Sequence, residues 1–187
     1  MRVGLYGGTF DPIHNGHLHV ISQLLTRKII DHLLVVPAGQ PRLRDNPPIA
    51  TGAQRRQMCQ LAINSLAPGI KNLVEVNPIE ILRDGPSYAI DTVEAVVKSF
   101  PDSSIVLIVG SDAYEKIEQW HRAAELKAMV DFLIITRPGT PISSGNEIEE
   151  LDIGALDISA TEIRSGSSNA LPAAVAAFIK ENNLYAS

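Results

Sequence analysis

The 187 residues carry 16 Lys and Arg against 21 Asp and Glu, a net charge of −5, and 45% of them are hydrophobic, an ordinary globular composition. Net acidity argues against a nucleic-acid coat, because phosphate backbones are held by surplus lysine and arginine, and the single cysteine, Cys59, excludes a disulfide scaffold and favours a reducing compartment, so a cytoplasmic location is expected. Apolar runs such as Ile105 to Val109 fall far short of the ~20 residues of a membrane span, so neither anchor nor signal peptide is expected, and at roughly 150 residues per domain the whole of 1–187 forms one domain.

In chain order, Arg2 to Tyr6 reads as a first strand. His17 to Ile30 follows, with Leu18, Ile21 and Leu25, and Val20 and Leu24, at the three- and four-residue spacing of an amphipathic helix. Leu33 to Val36 is a second strand ending at Pro37. Thr51 to Leu66 is a helix with Met58, Leu61, Ala62 and Leu66 inward, stopped by Pro68-Gly69. Leu73 to Val76 is a third strand, Tyr88 to Phe100 a third helix, Ile105 to Val109 the most apolar strand and hence central, and Phe132 to Ile135 a fifth. Pro138 to Asn146 reads as a long mobile loop, Ser165 to Asn169 as a linker, and Pro172 to Glu181 as a last helix with Val175, Phe178 and Ile179 inward. This alternation predicts an α/β fold, a single doubly wound, Rossmann-like parallel sheet of five or six strands with helices on both faces and ligands at the carboxyl ends of the strands.

Charge is unevenly spread. Through Arg56 there are seven basic residues against three acidic, and the remaining 131 residues carry nine against eighteen. The first third can therefore hold a compact anion although the whole chain is acidic. There, Gly7-Gly8-Thr9-Phe10-Asp11-Pro12-Ile13-His14-Asn15-Gly16-His17 joins the first strand to the first helix. Paired glycines allow close backbone approach, and a helix start offers unpaired N–H groups and positive dipole to an anion. The string is neither a P-loop nor a dinucleotide fingerprint. His14 and His17 can both face the anion, as donors or cations. A bare His-x-x-His fits capping or core histidines equally, and a zinc site lacks further ligands at sensible spacing, so no metal site is assigned to the chain. His19, His32 and His121 stand isolated and read as structural or solvent-exposed.

Taken whole, the eleven-residue string resembles the signature of the nucleotidyltransferase superfamily that shares its His-x-Gly-His with class I aminoacyl-tRNA synthetases. Near the other end, Ile158-Ser159-Ala160-Thr161-Glu162-Ile163-Arg164 has a capping box at Ser159 and Glu162 and an arginine about one turn further on, a second anion site by geometry. It resembles the string with which that superfamily binds the β- and γ-phosphates of ATP. Pro37 to Arg44, Gly85 to Thr92, and Gly110-Ser111-Asp112-Ala113 with Trp120 are similar to the corresponding strings of bacterial nicotinate-nucleotide adenylyltransferases across essentially the whole chain. Leu43 and Arg44 stand where that family has His-Lys, and Ala89 replaces a hydroxyl residue.

The resemblance implies transfer of AMP from ATP, taken with Mg²⁺, to nicotinate mononucleotide, giving nicotinate adenine dinucleotide and pyrophosphate in NAD biosynthesis. His14, His17 and Arg44 are then the catalytic residues. Gly7, Gly8, Thr9, Phe10, His14, His17, Gly110, Asp112, Ile158, Ser159, Thr161 and Arg164 bind ATP. Gly8, Thr9, Arg44, Ser87, Tyr88, Ala89, Trp120 and Arg137 bind the nicotinate mononucleotide. Trp120 fits either core filling or stacking on the pyridine ring. Arg55 and Arg56 read as an exposed helix face, and Cys59 as an inert buried thiol. ATP and nicotinate mononucleotide are the expected partners, with neither nucleic acid nor membrane, and assembly into a homo-oligomer stays open. The rival assignments are pantetheine-phosphate adenylyltransferase, whose motifs are similar, and a non-catalytic nucleotide sensor of the same fold.

Overall fold

The computed structural model describes residues 1–41, 46–136, 149–154 and 156–186. Among these residues six strands form one parallel sheet: β1 (Arg2–Gly8), β2 (His32–Pro37), β3 (Val74–Val76), β4 (Ser104–Gly110), β5 (Asp131–Ile135) and β6 (Glu149–Leu151), in the order β3-β2-β1-β4-β5-β6. The chain builds outward from β1 to β3 on one side, then crosses to β4 and builds outward to β6 on the other. The order therefore reverses between β1 and β4, where the crevice at the strands' carboxyl ends receives ligands in such sheets.

Alternation along the strands divides the core in two. Val3 and Leu5 of β1, Leu34 and Val36 of β2, and Ile105, Leu107 and Val109 of β4 face one layer, packed with Ile90, Val93 and Val96 of α5 (Ala89–Ser99) and Leu126 of α7 (Ala123–Met129). Val35, Val106, Ile108 and Leu133 face the other, packed with Ile21 and Leu24 of α1 (Asn15–Thr26), Met58 and Ala62 of α2 (Gly52–Asn64), and Val175 of α9 (Ala173–Glu181). Each fully buried Leu, Ile or Val contributes about 1.5–3 kcal/mol, so a one-residue register slip, which would turn β4 inside out, is heavily penalised. Gly4 of β1 faces the second layer, where a Cβ would come within 2.7 Å of Ile30 and 2.9 Å of Ile108 and Leu33, so these side chains close over β1 because a glycine stands there.

Further helices are short: α3 (Pro68–Lys71), α4 (Ile79–Leu82), α6 (Ser111–Tyr114), a 3-10 turn (Ile117–Gln119) and α8 (Ala160–Arg164). Sequence periodicity marks no helix between β4 and β5, yet α6, the 3-10 turn and α7 make that crossover. Pro68, expected to stop the second helix, instead opens α3; the second helix ends earlier, at Asn64. The stretch expected as a long loop, Pro138 to Asn146, lies outside the described residues. Among the described residues no helix is long and apolar enough to cross a membrane.

Candidate active site

The first loop leaves β1 at Gly8. A Cβ there would sit 2.9 Å from the Phe10 ring, so only glycine lets the ring fold back beneath the strand end. Phe10 is 3% exposed and packs edge-on against Tyr6 and His17, with centroids 5.7 and 5.0 Å away. Its φ of 49° lies in the left-handed region, which a bulky L residue rarely adopts. Asp11, also buried, fixes the turn: its carboxylate accepts from the backbone N–H groups of Ile49 (2.9 Å) and Ala50 (3.1 Å) and from the Tyr185 hydroxyl (2.6 Å). Burial and the Asp11 carboxylate push the Tyr185 phenol well above its ordinary value, so it stays a proton donor.

His14 is the N-cap of α1 and His17 lies one turn on. Their rings stack with centroids 3.7 Å apart, and the His14 N–H donates to His17 Nδ1 at 3.1 Å. A nitrogen that accepts carries no proton, so neutral His17 holds its proton on Nε2 and presents an N–H donor. Burial first, and the neighbouring His14 second, hold the His17 pKa well below 6.5. Gly16 fits between the motifs: a Cβ there would stand 3.0 Å from His14 Nδ1 and 3.6 Å from the Ile158 side chain.

That second contact brings in the distant motif. Ser159 caps α8 with a reciprocal box, its hydroxyl accepting from the Glu162 N–H at 3.1 Å while Glu162 accepts from the Ser159 N–H at 3.2 Å. Arg164 ends α8 and donates through Nη1 to the Asp11 carbonyl at 2.7 Å and through Nη2 to Thr161 Oγ1 at 3.0 Å. Two stretches 153 residues apart are thus joined by a direct hydrogen bond.

On the other side of the β1 loop a cavity of about 610 Å³ opens at the carboxyl ends of β1 and β4. Its walls include Gly7, Gly8 and Thr9, Gly110 at the end of β4, Ser87, Tyr88 and Ala89 at the start of α5, and Trp120 with His121. Trp120 Nε1 is buried and has no hydrogen-bond partner among the described residues. Tyr88 and His121 stack with centroids 4.3 Å apart and planes 29° from parallel.

Comparison with known proteins shows the family. Residues 5–166 match the family model described as Cytidylyltransferase-like. A relative from Hydrogenovibrio crunogenus, named "Probable nicotinate-nucleotide adenylyltransferase", is 35% identical over 208 residues, covering 98% of this chain and 97% of the relative. The chain belongs to the nicotinate-nucleotide adenylyltransferases. The nicotinate-nucleotide adenylyltransferase of Bacillus subtilis is 30% identical over 192 residues, covering 100% of this chain and 99% of that one. The structure of Plasmodium falciparum nicotinic acid mononucleotide adenylyltransferase complexed with NaAD has the same fold, with a TM-score of 0.83 at 21% identity and coverage of 98% and 97%. Family members are nucleotidyltransferases of NAD biosynthesis.

Within this chain several sequence expectations change. Arg55, expected on an exposed face, is 1% exposed: positions 55, 58, 59 and 62 form one inward stripe of α2, a spacing that was legible, while Arg56 is exposed. His121, expected to stand isolated, stacks on Tyr88 and lines the cavity; its signal was adjacency to Trp120. His19 Nε2 lies 2.8 Å from the Ile153 carbonyl, and His32 packs near Phe100. The Ser159 hydroxyl, expected on ATP, is spent on its own helix, accepting from the Glu162 N–H and donating to Glu162 Oε2. The Ser87 hydroxyl, expected on the mononucleotide, accepts from the Gly39 and Gln40 N–H groups at 2.9 and 3.0 Å and so sews the β2 loop to the start of α5. Asp112 is exposed in the first turn of α6. Cys59 is buried, and burial pushes its thiol well up, which keeps it unreactive. Arg44 and Arg137, with Leu43, lie outside the described residues.

Sequence reasoning passed over Glu80 as well. It is 8% exposed on α4, lines the cavity, and accepts from the Thr92 hydroxyl at 2.8 Å. Burial raises its pKa against the hydrogen bonds from Thr92 and Ser87 and the nearby Arg83. Nothing in the sequence distinguishes Glu80 from a solvated glutamate.

Proposed function

We propose that the residues 1–187 act as one nucleotidyltransferase domain, with the adenosine triphosphate beside α1 and α8 and the nicotinate mononucleotide in the cavity beside α5. The hydrogen bond from Arg164 to the Asp11 carbonyl carries this reading, because it sets a guanidinium and two imidazoles around one loop. The reaction needs no general base. The 5′-phosphate of the mononucleotide is already anionic; one of its oxygens bonds to the α-phosphorus of ATP, the bond from that phosphorus to the bridging oxygen breaks, and pyrophosphate leaves with the electron pair. Alignment and charge neutralisation are what the protein supplies.

Roles follow from position. The first loop, Gly7 to Phe10, separates the two nucleotides and offers backbone N–H donors to both. His17 Nε2 and His14 face the α- and β-phosphates, and Thr161 and Arg164 the departing pyrophosphate. Gly110 and Ile158 shape the ATP side and Asp112 accepts from ribose hydroxyls. Tyr88, Ala89 and Trp120 hold the pyridine ring, with the first N–H groups of α5 toward its carboxylate. Arg44 and Arg137 add phosphate contacts. Mg²⁺ would come with ATP, held mostly by the nucleotide, and would neutralise phosphate charge.

Pyrophosphate release from MgATP tests this with nicotinate mononucleotide, nicotinamide mononucleotide and phosphopantetheine as acceptors. The expected result is turnover with the first far above the other two. Turnover with phosphopantetheine alone, or nucleotide binding with no turnover, overturns it.

A further inference from the structure

Arg55 lies beneath the site, and its guanidinium reaches three backbone carbonyls: Nη1 donates to Thr9 at 2.8 Å, Nη2 to Gly39 at 3.3 Å and Nε to Ala50 at 3.2 Å. A trans peptide is planar, with its C=O and the following N–H pointing opposite ways. Pulling a carbonyl inward therefore turns the next residue's N–H outward. At Gly39 the outcome is visible, because the Gln40 N–H donates away from Arg55 to Ser87 Oγ at 3.0 Å. At Thr9 the next amide belongs to Phe10, and it donates to no group among the described residues. Phe10 is the residue held at a φ of 49°, a conformation that needs support from outside its own backbone.

We infer that Arg55 is a positioning residue: by holding the Thr9 carbonyl it aims the Phe10 amide at the polyphosphate of the bound nucleotide. The inference rests on the phosphate site proposed above. Arg55 touches no substrate; it acts through one peptide plane, and its planar fork matters because three carbonyls must be held at fixed angles. Lysine, a single flexible donor, cannot hold all three.

The test uses the full chain labelled with ¹⁵N-phenylalanine, which gives only four amide signals, titrated with inorganic pyrophosphate. In the wild type the Phe10 amide resonance moves in proportion to binding. In Arg55→Lys that movement is lost and pyrophosphate binds roughly tenfold or more weakly, while affinity for nicotinate mononucleotide is retained. A folded Arg55→Lys protein with wild-type pyrophosphate affinity and an unchanged Phe10 response overturns the inference. If the variant does not fold, the wild type still decides: pyrophosphate binding with a stationary Phe10 amide refutes it. A wild type that binds neither pyrophosphate nor MgATP refutes the phosphate site itself.

Discussion

In the proposed reaction His17 is the residue on which the chemistry turns. Its Nδ1 is occupied by the His14 amide, which leaves Nε2–H as a neutral donor, and the proposed site puts that donor where charge builds on the phosphates. Such a contact strengthens in the transition state more than in the ground state. His17→Ala therefore lowers kcat by roughly 10²–10³ with a much smaller change in ATP binding; steady-state kinetics check this, and an unchanged kcat would remove His17 from the reaction. A second prediction concerns stability. Burial, then His14, keep the folded pKa well below 6.5. Between that lowered value and 6.5 the unfolded chain binds a proton that the folded chain refuses, so stability falls as pH drops below 6.5. In urea denaturation at about pH 7.5 and pH 5.5, His17→Gln loses less stability on acidification than the wild type. Equal losses would show that His17 is not the group responsible. The motif histidines were legible because their spacing is local. The protonation state was not, because it depends on burial beneath Phe10 and on the stacking of two rings.

Among elements, α8 is the one whose formation and function are hardest to separate. Five residues make a helix that would not persist alone; the Ser159–Glu162 box and the reach of Arg164 to Asp11 hold it. Ser159→Ala removes the cap at a cost of about 1 kcal/mol. It weakens pyrophosphate and MgATP binding but spares nicotinate mononucleotide, whose proposed place is the cavity beside α5. Calorimetric titration with each ligand checks the split, and equal weakening of both would contradict it. The capping box, the strand centres and the longer helices were all readable from the sequence, since each is encoded by neighbours within a few residues. The 3-10 turn and the helices α3, α4, α6 and α7 were not. They are too short for a periodic stripe, and their position comes from crossing the sheet edge rather than from their own pattern.

At the scale of the whole molecule, the reversal of strand order between β1 and β4 creates the crevice, and alternation of strands with helices already implied it. What alternation could not give is the closure of the loops around it. Tyr185 reaches Asp11 across 174 residues, Arg164 across 153, and Arg55 bridges two loops from underneath. The sequence singled out Arg164 by its motif and held the spacing that buries Arg55, but only tertiary contacts name their partners and that of Tyr185. The family resemblance singled out both motifs, while the physical link between them had to come from the fold.

A crystal structure with a non-hydrolysable ATP analogue and nicotinate mononucleotide tests the central claim most directly. The account predicts the polyphosphate between His17 Nε2, the Phe10 amide and the Arg164 guanidinium, with the pyridine ring against Trp120 in the cavity and its phosphate facing the α-phosphorus. A polyphosphate lying in that cavity instead, with His17 and Arg164 turned away from both ligands, would contradict it.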